Sequence, residues 1–293
     1  MSAYNSTIPS NLRLRRLVRK QGGNALALVI LIPLVLIWTM PLILMISTSL
    51  KSQAEVFQPT KLIPDVILWE NYPIALFNFL PFPTFFKNSL IISTAVIIGD
   101  VLSAAFIAYG FARLRFPGRD VLFIILLSTM MIPFAVRMIP LFLVFKWLGW
   151  INTFLPLIAP SFVGNPLFVF LVREFYKGIP QELTDAARID GANELQIWWR
   201  VMLPLSRPVL AVVAILAFQH SWNDFLQPLI FLNETEKFTA TLGLYTLIGG
   251  NDAPQRWQYL MAASLVTILP VVVLFFAAQR YFISGVTLSG MKG

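Results

Sequence analysis

The chain has 293 residues, 57% of them hydrophobic and only 12% charged, so it carries too few ionic groups to cover a soluble globule of that length, and lipid must cover it instead. The absence of cysteine excludes disulfides and cysteine-based metal sites, the single His220 excludes a histidine-cluster metal site, and no Gly-x-x-x-x-Gly-Lys-Ser/Thr loop is present to cradle nucleotide phosphates. The net charge of +8 does not point to nucleic acid, because basic residues are nowhere interleaved with aromatics on one soluble face.

Residues 1–23 read as a basic, mobile cytoplasmic tail, and residues 24–293 as one transmembrane domain. Six stretches are long and apolar enough to cross the ~30 Å hydrocarbon layer as helices: Ala25 to Ser47, Asn88 to Phe111, Val121 to Phe145, Thr153 to Val172, Val209 to Leu232 and Leu260 to Gln279. The first follows Arg13, Arg15, Arg16, Arg19 and Lys20, but its apolar run exceeds the about 7–15 residues of a secretory signal core, so it reads as a retained anchor. With the N-terminus in the cytoplasm, the inside segments hold 15 basic residues and the outside segments 6, with Arg137 left within a span. That is the positive-inside distribution, and it also places the C-terminus in the cytoplasm of a cell-membrane protein.

The outside stretch from Lys51 to Lys87 mixes five prolines with Trp69, Tyr72 and several phenylalanines, which predicts a structured cap of short interfacial helices. Small residues at Ala104, Ala105, Ala108 and Gly110, and again at Ala262, Ala263 and Ser264, predict close helix approach. The outside stretch from Asn233 to Trp257, with Gly249-Gly250-Asn251, reads as flexible enough to reach a partner. Prolines within the spans, Pro133 and Pro270 among them, predict bends, which suit a body that opens and closes and are also simply tolerated in membrane helices.

One polar island breaks the apolar pattern, within a loop over 173–208 between the fourth and fifth spans. Pro180 suits a first helical position, Glu182 and Asp185 complement the dipole of the early turns, and Gly191 is suited to a left-handed close. Asn193 followed by Gln196 reads as a capping box that opens a second helix, ended by Pro204. Ala186, Ala187 and Ala192 give the first helix a flat flank, and Trp198 and Trp199 make the second a prop against the membrane body. The expectation is helix, tight turn, helix. An ordinary amphipathic loop helix is the plainer alternative.

The run Glu182-Leu183-Thr184-Asp185-Ala186-Ala187-Arg188-Ile189-Asp190-Gly191-Ala192, with Leu203-Pro204 and Pro208, resembles the EAA loop of ATP-binding-cassette importer permeases of the carbohydrate-uptake branch. Further fragments carry the likeness along most of the chain, including Ala108-Tyr109 with Ala112-Arg113, Trp222-Asn223-Asp224-Phe225 and Met291-Lys292-Gly293. One departure is visible: Asp185 stands where that family usually has Glu, which keeps the charge with one methylene less. The resemblance implies the all-α fold of type I importer permeases, with six spans and a cytoplasmic coupling helix. It further implies that Glu182, Asp185, Ala186, Ala187, Asp190, Gly191 and Ala192 dock on an ATPase. The implied partners are a homologous permease chain, an ATPase dimer that binds the ATP and Mg, and an extracytoplasmic substrate-binding protein. This chain then holds no cofactor and catalyses nothing itself.

A charge at mid-bilayer costs roughly 2.5–3.5 kcal/mol on insertion scales, so Asp100, Arg137, His220 and Asp224 each need a protein-lined or watery site. Gln219, Trp222, Asn223 and Asp224, with Arg137, offer the hydrogen-bonding and aromatic mixture that binds sugars, and are read as lining a translocation path. Mutual satisfaction at a helix interface is the competing reading of the same residues. Three functional alternatives stay open: a proton-coupled secondary transporter using His220 and Asp224, a permease for a solute such as glycerol phosphate, and a structural membrane subunit.

Overall fold

The computed structural model describes residues 10–58, 61–248 and 256–289, with side chains placed over 28–58, 61–248 and 256–278. Among them every regular element is helical. Helix α1 (Ser10–Ser49) absorbs residues 10–23, so the stretch expected as a mobile tail continues the first span as one helix. Helix α2 (Phe82–Arg113) is the centre of the bundle. After it come α3 (Arg119–Ser128), α4 (Phe134–Trp147), α5 (Pro166–Lys177), α6 (Gln181–Ile189), α7 (Glu194–Ile197), α8 (Arg207–Trp222), α9 (Leu226–Phe231), α10 (Ala240–Thr246) and α11 (Trp257–Ser289).

Among the described residues four helical stretches are long and apolar enough to cross a membrane, Leu28–Ser49, Phe82–Arg113, Leu155–Lys177 and Trp257–Ala278, and up to six if two sharply bent pairs each count as one. The stretch expected as a continuous third span is one of those pairs: Arg119–Met131 meets Phe134–Trp147 at 100°. Pro133 explains the break, because it forces Ile132 into extended backbone (φ −82°, ψ 112°) and cannot donate to the preceding turn. Each arm is about 20 Å long, so neither crosses a bilayer alone. The fifth stretch is also interrupted, since α8 stops at Trp222 and α9 starts at Leu226.

Small side chains set the packing around α2. Ala104, Ala105 and Ala108 are fully buried and face Val169, Val172 and Tyr176 of α5 and Val213 and Ala217 of α8. Without bulk at those positions the backbones close in, which is how helices associate where lipid removes the hydrophobic driving force. Farther along, Gly99 admits Ser161 and Phe162, because a Cβ there would collide with both side chains. Ala262 and Ala263 on α11 are likewise buried, as their size predicts. The apolar residues of α1 from Leu28 to Ile37 are exposed throughout, a surface suited to lipid or a further membrane chain.

The segment after α1 forms a cap of short helices, Gln53–Val56 and Asn71–Pro73 among them. Asn71 donates to the carbonyls of Ser49 and Lys51, both at 2.9 Å, which closes the cap onto the end of α1. The Glu55 carboxylate accepts from the Asp65 and Ser52 N–H groups, and these bonds hold its pKa down at about 2.

The stretch after α9 differs from the flexible loop expected of it. Residues 233–248 fold into α10 and its lead-in, and Asn152 in a left-handed conformation (φ 62°) accepts from the Asn233 and Glu234 N–H groups. Gly249-Gly250-Asn251, the basis of that expectation, lies outside the described residues, as does Met291-Lys292-Gly293.

Candidate functional site

Pro180 is the N-cap of α6 rather than its first helical residue, with φ −55° and ψ 136°, and Glu182 falls in the first turn. The helix closes as a Schellman turn: Ala192 N–H reaches the Ala187 carbonyl at 3.0 Å and Gly191 adopts φ +83°. Asn193 then opens α7 with a reciprocal capping box, the Gln196 N–H donating to Asn193 Oδ1 at 2.9 Å and the Asn193 N–H to Gln196 Oε1 at 3.0 Å. Helix, tight turn and helix therefore follow from local chemistry. Pro204, however, does not end the second helix. A wider π turn over Trp198–Met202 leads into Leu203–Leu205, and the chain swings by 79° at Ser206 instead. A π turn shifts the hydrogen-bond register, which removes the bond that proline cannot make.

Two side chains of α2 grip this element from below. Arg113 donates to Gln181 Oε1 at 2.6 Å and to the Tyr176 and Ile179 carbonyls at 2.7 and 2.6 Å. One turn earlier, the Tyr109 hydroxyl donates to Glu194 Oε2 at 2.5 Å. Arg188 completes the network, with Nε on Glu194 Oε1 at 2.9 Å and Nη1 on Asp185 Oδ1 at 2.7 Å. Through the Arg188 bond the Glu194 carboxyl is held below its ordinary pKa, and Arg188 is raised in turn. Nearby, Arg173 lies 3.9 Å above the Phe123 ring and pairs with Glu174 at 2.8 Å. Trp198 is buried and donates to the Ala105 carbonyl at 3.2 Å, while Trp199 is exposed, so only the first acts as the expected prop.

The grip divides α6 into two faces. Thr184 is fully buried, and Ala187 and Ala192 pack against the membrane body, so these two alanines lie behind the surface they were expected to form. Glu182, Leu183, Asp185, Ala186, Ile189, Asp190 and Gly191 are exposed. Ile189 at 87% exposure is the most open large apolar side chain among the described residues, and sequence reasoning passed it over. A helical projection carries the signal, since Leu183, Ala186 and Ile189 recur at three-residue steps.

The polar residues of the fifth stretch gather where α8 breaks. Gln219, His220 and Asn223 are exposed, Asp224 is half-buried, and Asn223 Nδ2 donates back to the Gln219 carbonyl at 2.9 Å. Asp224 Oδ1 accepts from the Gln227 N–H at 3.2 Å and so leads into α9. Irregular backbone at membrane depth persists only where protein or a watery cavity satisfies it. Trp222 differs from its neighbours: it is 2% exposed, stacks on Phe218, meets Phe86 edge-on and donates to the Thr267 carbonyl at 3.0 Å. Its ring faces are used in packing, which makes it a support for the break and not an open platform. Arg137 is exposed on α4, and Asp100 is buried in α2. Among the described residues no group of three or more His, Cys, Asp or Glu side chains could hold a metal.

Residues 100–288 match the family model described as "Binding-protein-dependent transport system inner membrane component". The chain is 42% identical over 212 residues to the arabinooligosaccharides transport system permease protein AraQ of Halalkalibacterium halodurans, covering 72% of this chain and 74% of that protein. It is 31% identical over 272 residues to the sn-glycerol-3-phosphate transport system permease protein UgpE of Yersinia pestis, covering 91% of this chain and 96% of the relative. Among solved structures, a chain of a bacterial ABC transporter involved in import of the acidic polysaccharide alginate superposes with a TM-score of 0.77 at 26% identity, over 95% of this chain and all of that one.

Proposed function

Because the chain belongs to the family of binding-protein-dependent transport system inner membrane components, we propose that it is one permease half of an ATP-driven carbohydrate importer, with α6 as the element that seats on an ATPase subunit. In this reading a homologous chain supplies the second half of the pathway, each half docks on one subunit of an ATPase dimer, and a binding protein delivers the solute outside. The polypeptide crosses the membrane six times, with the bent third stretch counted as one crossing and both termini in the cytoplasm. Hydrolysis of ATP, with its Mg, belongs to the partner.

The observation that carries the reading is the two-faced α6. It presents Leu183, Ala186 and Ile189 among carboxylates on an exposed ridge, while Arg113 ties its first residue and lead-in to the membrane body and Thr184 is buried behind it. An apolar ridge with a charged rim suits burial in a complementary groove. Tight fastening behind it lets a push on the ridge move the bundle instead of bending a loop. Alternating access then requires only that ATP favour the arrangement with the two coupling elements drawn together.

The carbohydrate assignment is supported by the arabinooligosaccharide relative and the alginate transporter neighbour, and by Gln219, Asn223 and Asp224 as hydrogen-bonding groups at the broken fifth stretch. The UgpE relative supports a second reading, glycerol phosphate, for which the exposed guanidinium of Arg137 is a fitting contact. Purified cognate binding protein titrated with arabino-oligosaccharides and with sn-glycerol 3-phosphate separates the two. For the coupling role, Gly191 replaced by a bulky residue is expected to abolish ATP-coupled uptake with normal membrane insertion. Uptake at the full rate removes α6 from that role.

A further inference from the structure

Helix α2 is fastened at both ends to elements that have no other reason to act together. At one end Tyr109 and Arg113, one turn apart on a single face, hold Glu194 and Gln181 of the α6–α7 element. At the other, Asn88 Nδ2 donates to the Glu236 and Phe238 carbonyls at 2.8 and 3.0 Å, the α10 residue Ala240 donates its N–H to Ser89 Oγ at 2.8 Å, and Gly243 of α10 lies flat on the Phe85 ring. Asn88 and Tyr109 are about 32 Å apart along the axis at 1.5 Å per residue.

Among the described helices three exceed thirty residues, and α2 alone of these has no interior proline, its Pro83 lying in the first turn. Its ladder of backbone bonds therefore runs uninterrupted between the two fastenings. The other routes from α6 outward meet breaks: the 79° swing at Ser206 and the break after Trp222 on the way through α8, the 100° bend between the third-stretch arms, and, on the way through α5, the loss of regular α-helix at Gly164 (φ +99°) and Asn165. A stiff helix transmits displacement, whereas a hinged one absorbs it.

We infer that α2 is the transmission rod of the importer, with Tyr109 and Arg113 as positioning residues that deliver motion of α6 to helix α10 on the far side. The inference rests on the importer reading of α6. It makes α10 the outward reporter of the ATPase state, a role its firm anchoring fits better than a free loop would.

The chain has no cysteine, so a nitroxide on Glu236→Cys is unique in this subunit. In the complete reconstituted transporter, its spectrum is compared without nucleotide and with ATP plus vanadate. Tyr109→Phe, which removes one hydroxyl bond, is expected to shrink the nucleotide-dependent change about three- to tenfold, as is Ser89→Ala at the other end. The double variant is expected to lose no more than either single one, although sites so far apart ordinarily act independently. An unchanged response in Tyr109→Phe, or losses that multiply, overturns the rod. A transporter that hydrolyses ATP while the wild-type label stays still also overturns it and leaves the importer reading standing. A chain that assembles with no ATPase subunit overturns both.

Discussion

The α6–α7 element and the break after α8 both place polar groups in an apolar chain, yet they treat those groups in opposite ways. At α6–α7 the polar groups bond to one another and to the backbone: Arg113 donates to three neutral acceptors, and Arg188 bridges Asp185 and Glu194. At the break, Gln219, His220 and Asn223 stay exposed, with Asn223 bonded only to the preceding turn of its own helix. Polar groups bonded to one another fix a shape, and exposed ones stay open to solvent or solute. The proposed function gives force transmission to the first region and solute contact to the second.

The sharpest way to break that contrast is Arg113→Ala. It removes three hydrogen bonds, to the Tyr176 and Ile179 carbonyls and to Gln181 Oε1, and bonds to a charged donor are worth about 1.5–3 kcal/mol. A loss of about 3 kcal/mol, read as a lower melting temperature of the detergent-solubilised protein, is expected; an unchanged melt would mean that the grip is not structural. Gly191→Val is expected to cost about 1–2 kcal/mol, because a side chain at φ +83° meets its own backbone, and the same melt checks it.

Acidification probes the network more gently. Glu194 has a lowered pKa in the folded chain, so its contribution is present above the unfolded value of about 4.3 and is lost as pH falls through the lowered one. Arg188, raised, stays charged throughout. Fluorescence of Trp198, which follows Glu194 by four residues, is expected to hold steady from pH 8 to 5 and to shift only below pH 4. The smallest stability effect belongs to Asn223→Ala, within about 0.5 kcal/mol because the side chain is exposed. Uptake is nonetheless expected to fall sharply while ATP hydrolysis persists. A stability loss comparable to that of Arg113→Ala would erase the distinction between the two regions.

Local chemistry made the turn between α6 and α7 legible in the sequence. Gly191 and the Asn193–Gln196 box act within four residues of themselves, and both formed as their types dictate. The small residues of α2 were legible for the same reason: size at Ala104, Ala105 and Ala108 decides helix approach whatever the partner is. Contacts between distant positions were not. Tyr109 and Glu194 are 85 residues apart, and nothing short-range in either announces the pairing. Which flank of α6 faces inward depends on those ties, and they turn Ala187 and Ala192 partly toward the body while Ile189 points out. Prolines marked where the chain could bend but not by how much. Pro133 gives a sharp corner, Pro204 is absorbed by a π turn, and the fifth stretch breaks at Asn223 with no proline there at all.

The central claim, that the ridge of α6 projects into the cytoplasm onto an ATPase subunit, is tested most directly through Ile189→Cys in this cysteine-free chain. The account predicts labelling by a membrane-impermeant maleimide in inside-out vesicles but not in intact cells, and protection from that label when the ATPase is assembled. Labelling from the outside of intact cells, or labelling that the assembled ATPase leaves unchanged, would contradict it.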